Sequence, residues 1–339
     1  MSDRITVIGA GAWGTTMASL LATKGPVNLW AREPEVVADV NDRHRNQRFL
    51  PDVPLPSTLT ATSDLAVALE GADAVLVAVP SQFLREVLGR GAASIAPDIP
   101  LLTLTKGIEV GTLLRMSEVA AEVLADHRRE LIGVLSGPNI ARQVAVGEPA
   151  ATVVAMADRQ AAERLQEALG TPSLRIYTNP DVVGCEIGGS VKNVIALAAG
   201  MAVGLGYSDN TMAAVVTRGL AELTRFGVAL GGQPLTFLGL AGMGDLVVTC
   251  HSSASRNHRV GVELGRGRTL PDILADMSAV AEGVRSCAPV LALADRVGVD
   301  LPICRAVGEV LAERLQARQI VDLLLAREAT AEMHDIAEP

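Results

Sequence analysis

The sequence predicts an α/β N-terminal domain, residues 1–180, built on a doubly wound parallel sheet, followed by an all-α C-terminal domain, residues 181–339. Three observations predict it. Short, continuously apolar runs alternate with helical patterns through the first half, as expected for parallel strands covered by helices on both faces. The first run leads directly into Gly9-Ala-Gly11-Ala-Trp-Gly14. Past Pro180-Asp181, a helix-start signal, the sequence turns helical and stays so. A length of 339 residues also suits two cores better than one.

Taken in order, 4–8 reads as the first strand, 12–23 as the helix behind it, and 27–30 as the second strand. Further strands are expected at 74–79, 100–105, 131–135, 152–157 and 175–178, with helices such as 112–125 and 159–169 between them. A doubly wound sheet of this kind places its ligand crevice at the carboxyl ends of the strands. The second half supplies helical patterns at 181–205, 210–230, 270–277, 287–297, 302–315 and 320–325, punctuated by Gly231-Gly232 and Gly242-Met243-Gly244.

The glycine motif is G-x-G-x-x-G, and its setting gives it weight. It follows an apolar strand, opens a helix and precedes a second strand, which is the context of a Rossmann-type dinucleotide site. Gly9 permits the tight turn, Gly11 lets a pyrophosphate approach the backbone, and Gly14 lets helix and strand pack closely. The helix N-terminus then offers N–H groups to the phosphates. At the end of the second strand, Arg32 suits a 2′-phosphate and favours NADP, while Glu33 keeps NAD open. The alternative for Arg32 is a solvated side chain at a strand end.

Composition narrows the classes. A net charge of −9 and 2% aromatics argue against a nucleic-acid partner, so an anionic ligand needs a local basic pocket. Apolar runs such as 72–79 are too short for a membrane span. The N-terminus does not read as a signal peptide. Cys185, Cys250, Cys287 and Cys304 show no metal-ligand spacing with the five histidines, so no metal is expected and a reducing, cytoplasmic setting is. The chain has three lysines, Lys24, Lys106 and Lys192, against 26 arginines. Lysine retained against that bias suggests either a place where an ammonium must release a proton, which guanidinium cannot do, or chance among three residues.

Lys192 lies in a helical stretch with Gly188 and Gly189 before it on its own face, leaving either a shallow groove for a small substrate or a close helix contact. Asp245, after Gly242-Met-Gly, either caps a helix starting at Leu246 or acts chemically. Ser255-Arg256-Asn257 is either a polar loop or a phosphate clamp led by the Arg256 fork. Lys106-Gly107 and Ser136-Gly137-Pro138-Asn139 follow strands at the edge where the crevice is expected, and the latter could offer N–H groups to an oxyanion.

Together and in this order, the segments resemble the bacterial NAD(P)-dependent sn-glycerol-3-phosphate dehydrogenases. The resemblance covers nearly the whole chain: GAGAWGT at Gly9, LTKGIE at Leu104, SGPN at Ser136, VKNVIALAAG at Val191, LAGMGDLVVTC at Leu240, SRN at Ser255 and AEGV at Ala281. It implies NAD(P)H-dependent, reversible reduction of dihydroxyacetone phosphate to sn-glycerol 3-phosphate, which supplies glycerophospholipid synthesis. It implies Lys192 as proton donor or acceptor; the chemistry of the parts then suggests Asp245 orienting it and Lys106 holding and polarising the carbonyl end. Substrate contacts are implied at Lys106, Gly137, Asn139, Lys192, Asp245, Ser255, Arg256 and Asn257. Cofactor contacts are implied at Gly9, Gly11, Ala12, Trp13, Gly14, Arg32, Lys106, Ala141, Arg256, Val280 and Glu282. A homodimer fits the class.

Two residues depart from the family pattern. Ala12 stands where serine is frequent, which removes a hydroxyl near the pyrophosphate. Asn139 stands where serine or threonine is usual, and its amide can still donate. Two other readings compete. A 3-hydroxyacyl or sugar-acid dehydrogenase of the same architecture is the nearer one, but the former needs a histidine acid/base, and His251 and His258 merely flank SRN. A non-catalytic dinucleotide sensor would have no use for a lysine–aspartate pair and a phosphate clamp.

Overall fold

The computed structural model describes residues 4–277, 281–328 and 332. Two compact units emerge: residues 4–106 with 114–182, and residues 107–113 with 183 onward. The short segment Gly107–Leu113 therefore packs with the helical unit, where Ile108 is fully buried in the core, although it lies far upstream of residue 180 in sequence.

The first unit is an eight-stranded sheet in the order β3-β2-β1-β4-β5-β6-β7-β8. Its strands are β1 (Ile5–Ile8), β2 (Val27–Trp30), β3 (Thr60–Thr62), β4 (Ala74–Val77), β5 (Leu101–Thr103), β6 (Ile132–Ser136), β7 (Ala150–Ala155) and β8 (Leu174–Asn179). Its helices are α1 (Ala12–Ala22), α2 (Pro34–Arg43), α3 (Leu65–Leu69), α4 (Leu84–Gly91), α5 (Met116–Val123), α6 (Ala141–Ala145) and α7 (Arg159–Leu169). β1 and β4 are buried at every position, as strands covered on both faces must be. Ile5, Val7 and Leu29 pack with Met17, Leu21, Val36, Val40 and Leu165 on one face. Ile8, Trp30, Val75 and Val77 pack with Leu65, Leu84, Leu88 and Met116 on the other.

Two features differ from the sequence-based expectation. β3 adds a strand, because Thr-Ala-Thr is too short and too polar to make an apolar run. β7 runs antiparallel to β6, so the sheet is parallel except at that pairing. A parallel crossover usually carries a helix long enough to cover the sheet face. The stretch 137–149 carries the five-residue α6, and the chain returns in the opposite direction.

The second unit contains α8 (Val182–Gly204), α9 (Asp209–Ala229), α10 (Asp245–His251), α11 (Arg256–Gly265), α12 (Leu270–Ala275), α13 (Glu282–Val297), α14 (Pro302–Leu311) and α15 (Ala317–Leu325). α8 is its central core helix, buried at nearly every position from Gly184 to Ala202. Its length and apolarity would suffice to cross a bilayer, yet 89% of its most apolar window is buried within the fold. Glu222 of α9 reaches the start of α14 and accepts from Ile303 N (2.6 Å) and Cys304 N (3.2 Å), a cap supplied from another helix. Burial pushes the Glu222 carboxyl up to about 7 despite these bonds.

Candidate active site

The glycine turn sits where β1 gives way to α1, beside β4, and the strand order reverses between these two strands. That is the switch point at which open α/β sheets bind ligands. Gly9 has φ +112, and a Cβ there would lie 2.7 Å from the Ala78 carbonyl oxygen. A Cβ on Gly14 would lie 2.0 Å from the Gly9 carbonyl oxygen, so neither position tolerates a side chain. Gly11, by contrast, faces open space. It forms the N-cap of α1 with no side chain capping the helix, which leaves the first-turn amides for an anion. Residues 9–14 thus fit a dinucleotide pyrophosphate, with Ala12 and Trp13 beside it, both partly buried at the start of α1.

Arg32 is 67% exposed and paired with Glu33, Nη2 to Oε1 at 2.7 Å. An exposed pair of this kind contributes little, and a 2′-phosphate can replace the carboxylate. The arginine that suits NADP and the acid that suits NAD are thus held against each other. Ala141 opens α6, and its carbonyl accepts from Thr16 Oγ1 of α1 at 3.1 Å, so it borders the helix that carries the glycine turn.

In the same unit, Lys106 Nζ lies 3.4 Å from the Gly137 carbonyl oxygen, so the ends of β5 and β6 come together. Asn139 directs its side-chain N–H at the Ala151 carbonyl (3.0 Å), so this amide group ties the SGPN turn to β7. The Ser136 hydroxyl is buried and has no hydrogen-bond partner among the described residues. Lys24, the third lysine, is structural. Its Nζ donates to the carbonyls of Glu167, Ala168 and Gly170 and closes the C-terminus of α7.

In the helical unit, Lys192 on α8 is 93% buried and ion-paired with Asp245 at the start of α10. Its Nζ also donates to Thr249 Oγ1 (2.8 Å), one turn along α10, and that hydroxyl donates to the Asp245 carbonyl (2.6 Å). Asp245 is therefore no cap. It lies within the helix after a π-helical turn, Leu240–Gly244, with its carboxylate turned to the lysine. Gly188 does not leave a groove, since a Cβ there would lie 2.4 Å from the Ala241 carbonyl oxygen. The glycine instead admits the backbone that leads to Asp245.

Ser255-Arg256-Asn257 is not a loop. Ser255 caps α11, accepting from His258 N at 3.3 Å, and Arg256 is exposed in the first turn. Asn257 is buried. Its Nδ2 donates to Asn193 Oδ1 (2.8 Å) on α8, and its Oδ1 accepts from Gly283 N (2.9 Å) at the start of α13. One side chain thus brings together the lysine helix, the arginine turn and the AEGV segment with Glu282. Val280 lies outside the described residues.

Sequence reasoning missed Thr249 and Asn193. Thr249 had a signal, four residues from Asp245 on one helix face. Asn193 had none beyond adjacency to Lys192, because its role depends on where α11 packs. Ser190 was also unanticipated: its hydroxyl accepts from Gly107 N (3.0 Å) and donates to the Glu186 carbonyl (2.8 Å), fastening the residue after Lys106 to α8. Among the described residues no cluster of His, Cys, Asp and Glu could hold a metal.

A glycine turn fit for a dinucleotide and a buried lysine–carboxylate pair characterise the two units. Family models for the N-terminal and C-terminal domains of NAD-dependent glycerol-3-phosphate dehydrogenase match residues 4–162 and 181–322. The chain belongs to that family. It is 52% identical to the glycerol-3-phosphate dehydrogenase [NAD(P)+] of Frankia casuarinae, over 96% of this chain and 97% of that protein. It is 47% identical to a second such enzyme from Sphingopyxis alaskensis, over 98% and 99% of the two chains. The crystal structure of glycerol-3-phosphate dehydrogenase from Coxiella burnetii superposes with a TM-score of 0.90, at 38% identity, covering 96% of this chain and 99% of that one.

Proposed function

We infer that the chain catalyses the reversible NAD(P)H-dependent reduction of dihydroxyacetone phosphate to sn-glycerol 3-phosphate, with Lys192 as the proton-exchanging group. The observation that carries this is the buried Lys192, held between the Asp245 carboxylate and the Thr249 hydroxyl within a chain of this family. When bound, the cofactor supplies hydride to the ketone carbon. The ketone oxygen then develops negative charge and needs a proton. Lys192 donates it in reduction and accepts it in the reverse direction. Asp245 offsets the buried ammonium, and Thr249 fixes its direction. Burial of an unpaired ammonium would be costly, so Asp245 supplies the counter-charge that holds Lys192 in place.

Arg256, exposed at the first turn of α11, holds the substrate phosphate as a planar two-pronged donor. Ser255 and Asn257 position it, the first by capping the helix and the second by tying it to α8 and α13. Lys106, Gly137 and Asn139 form a further substrate-binding turn. The pyrophosphate lies on Gly9–Gly14, with Arg32, Ala141 and Glu282 completing the cofactor contacts. The same proposal places the enzyme in the cytoplasm, in keeping with four buried cysteines that form no disulfide among the described residues. It also makes the enzyme a homodimer, which would cover apolar surface such as Leu235 and Leu238.

The test is Lys192→Arg, which keeps the charge but not the capacity to release a proton. Turnover is expected to fall about 100-fold or more while NADPH binds as before. Turnover near wild type would reject the assignment.

A further inference from the structure

The glycine turn is held from behind by a residue that lies outside its motif. Asn46, between α2 and β3, is fully buried. Its Nδ2 donates to the Ala10 carbonyl oxygen (2.9 Å) and to Thr15 Oγ1 (2.8 Å), and its Oδ1 accepts from Phe49 N (3.1 Å). Thr15 of α1, also fully buried, donates its hydroxyl to the same Ala10 oxygen at 3.0 Å. That oxygen, between the first two glycines of the turn, thus accepts from two buried donors. Asn46 is itself fixed, since its carbonyl accepts from Leu50 N (2.9 Å) and the next residue, Gln47, donates its N–H to Asp39 Oδ2 of α2 (2.9 Å).

In a trans peptide the carbonyl and the following N–H point in opposite directions. With the Ala10 oxygen drawn into the core, the Gly11 N–H points outward, beside the first-turn amides of α1. Gly11 is the N-cap of that helix, at φ −63. Turning the Ala10–Gly11 peptide over would carry Gly11 φ into the positive region, which glycine enters freely and other residues do not. The reversed peptide would place a carbonyl oxygen where an anion is to bind. The missing Cβ that opens the turn to a pyrophosphate therefore also permits the flip. What opposes it is the pair of hydrogen bonds from Asn46 and Thr15, which the flip would break, leaving two buried donors without their acceptor.

We propose that Asn46, acting with Thr15, is a positioning residue for the cofactor: it locks the Ala10–Gly11 peptide so that the turn meets the dinucleotide pyrophosphate with N–H groups and not with an oxygen. This role rests on the dinucleotide reading of residues 9–14.

Steady-state kinetics of the full-length protein with NADPH and NADH, on Asn46→Ala, Thr15→Val and the double variant, test this. Each single variant leaves the Ala10 oxygen one donor, so the cofactor KM should rise no more than about threefold. The double variant leaves none, and its cofactor KM should rise about tenfold or more while kcat and the KM for dihydroxyacetone phosphate hold. Asn46→Ala combined with Thr15→Ser restores the hydroxyl and should return the cofactor KM to that of Asn46→Ala alone. A crystal structure of the double variant should show the Ala10 carbonyl turned outward. If the double variant fails to fold, Asn46→Asp decides: its carboxylate brings no donor to the Ala10 oxygen and draws the Thr15 hydroxyl proton to itself, so the same rise is expected. The lock is overturned if folded variants lacking both donors keep the wild-type cofactor KM, if kcat and the substrate KM worsen in step with it, or if the carbonyl stays buried. Gly11→Ala separates the lock from the reading beneath it. Should Gly11→Ala also leave the cofactor KM unchanged, the pyrophosphate lies elsewhere and both fail; should it alone raise that KM, only the lock fails.

Discussion

The glycine turn of the first unit and the lysine site of the second achieve precision by opposite means. Residues 9–14 have almost no side chains where they pack: backbone approaches backbone, and the helix start leaves its amides for the proposed pyrophosphate. The Lys192 site works by placing charged and polar side chains inside a core, where each must find its partner. Steric exclusion punishes any added atom at the turn, whereas lost pairing punishes any removed charge at the lysine.

Five substitutions sharpen or break that contrast, beginning with the largest expected effect. Gly14→Ala puts a Cβ 2.0 Å from a backbone oxygen, so thermal unfolding should show severe destabilisation or no soluble protein. Gly11→Ala faces open space and should leave the melting temperature nearly unchanged while raising the cofactor KM. Equal damage from both would mean that the turn is not divided into a packed and an open side. Asp245→Asn leaves the Lys192 ammonium buried without its counter-charge, and chemical denaturation should show a loss of about 3–5 kcal/mol. A loss under 1 kcal/mol would show that the pair is far better solvated than its burial implies.

Glu222 extends the argument to pH. Its folded pKa of about 7 exceeds the ordinary carboxylate value of 4.5, so between those values the folded state binds the proton that the unfolded state has released. The contribution is complete below pH 4.5 and lost as pH rises through 7, about 3 kcal/mol in all. Glu222→Gln should flatten that part of the stability–pH curve, and an unchanged slope would assign it to another group. The smallest effect concerns Arg32→Ala, which should lower the ratio of NADPH to NADH efficiency by several-fold. A constant ratio would mean that the exposed Arg32–Glu33 pair does not read the 2′-phosphate.

Legibility differed between the two regions for the same reason. The strand, turn and helix around Gly9 were readable because six consecutive residues set that geometry. The change to helices near residue 180 was readable because periodicity is a local property. The direction of β7 was not, since an apolar strand of either direction has the same composition, and β3 offered no apolar run at all. In the site, Lys192, Asp245 and Arg256 stood out by residue type and by resemblance. Asn193, Ser190 and Thr249 carry ordinary polar side chains whose importance comes from what they touch.

The sequence by itself determined the α/β-then-helical order, the dinucleotide turn, the family and the identity of the principal charged residues. Each of these is written in neighbouring residues or in the order of motifs. Tertiary structure decided that Asp245 turns to a lysine 53 residues away instead of capping its helix. It also decided that Gly188 admits a backbone, that Asn257 joins three elements, and that residues 107–113 belong to the second core. Those outcomes follow from which surfaces meet once the helices pack. Burial then forces every polar group they enclose to find a partner.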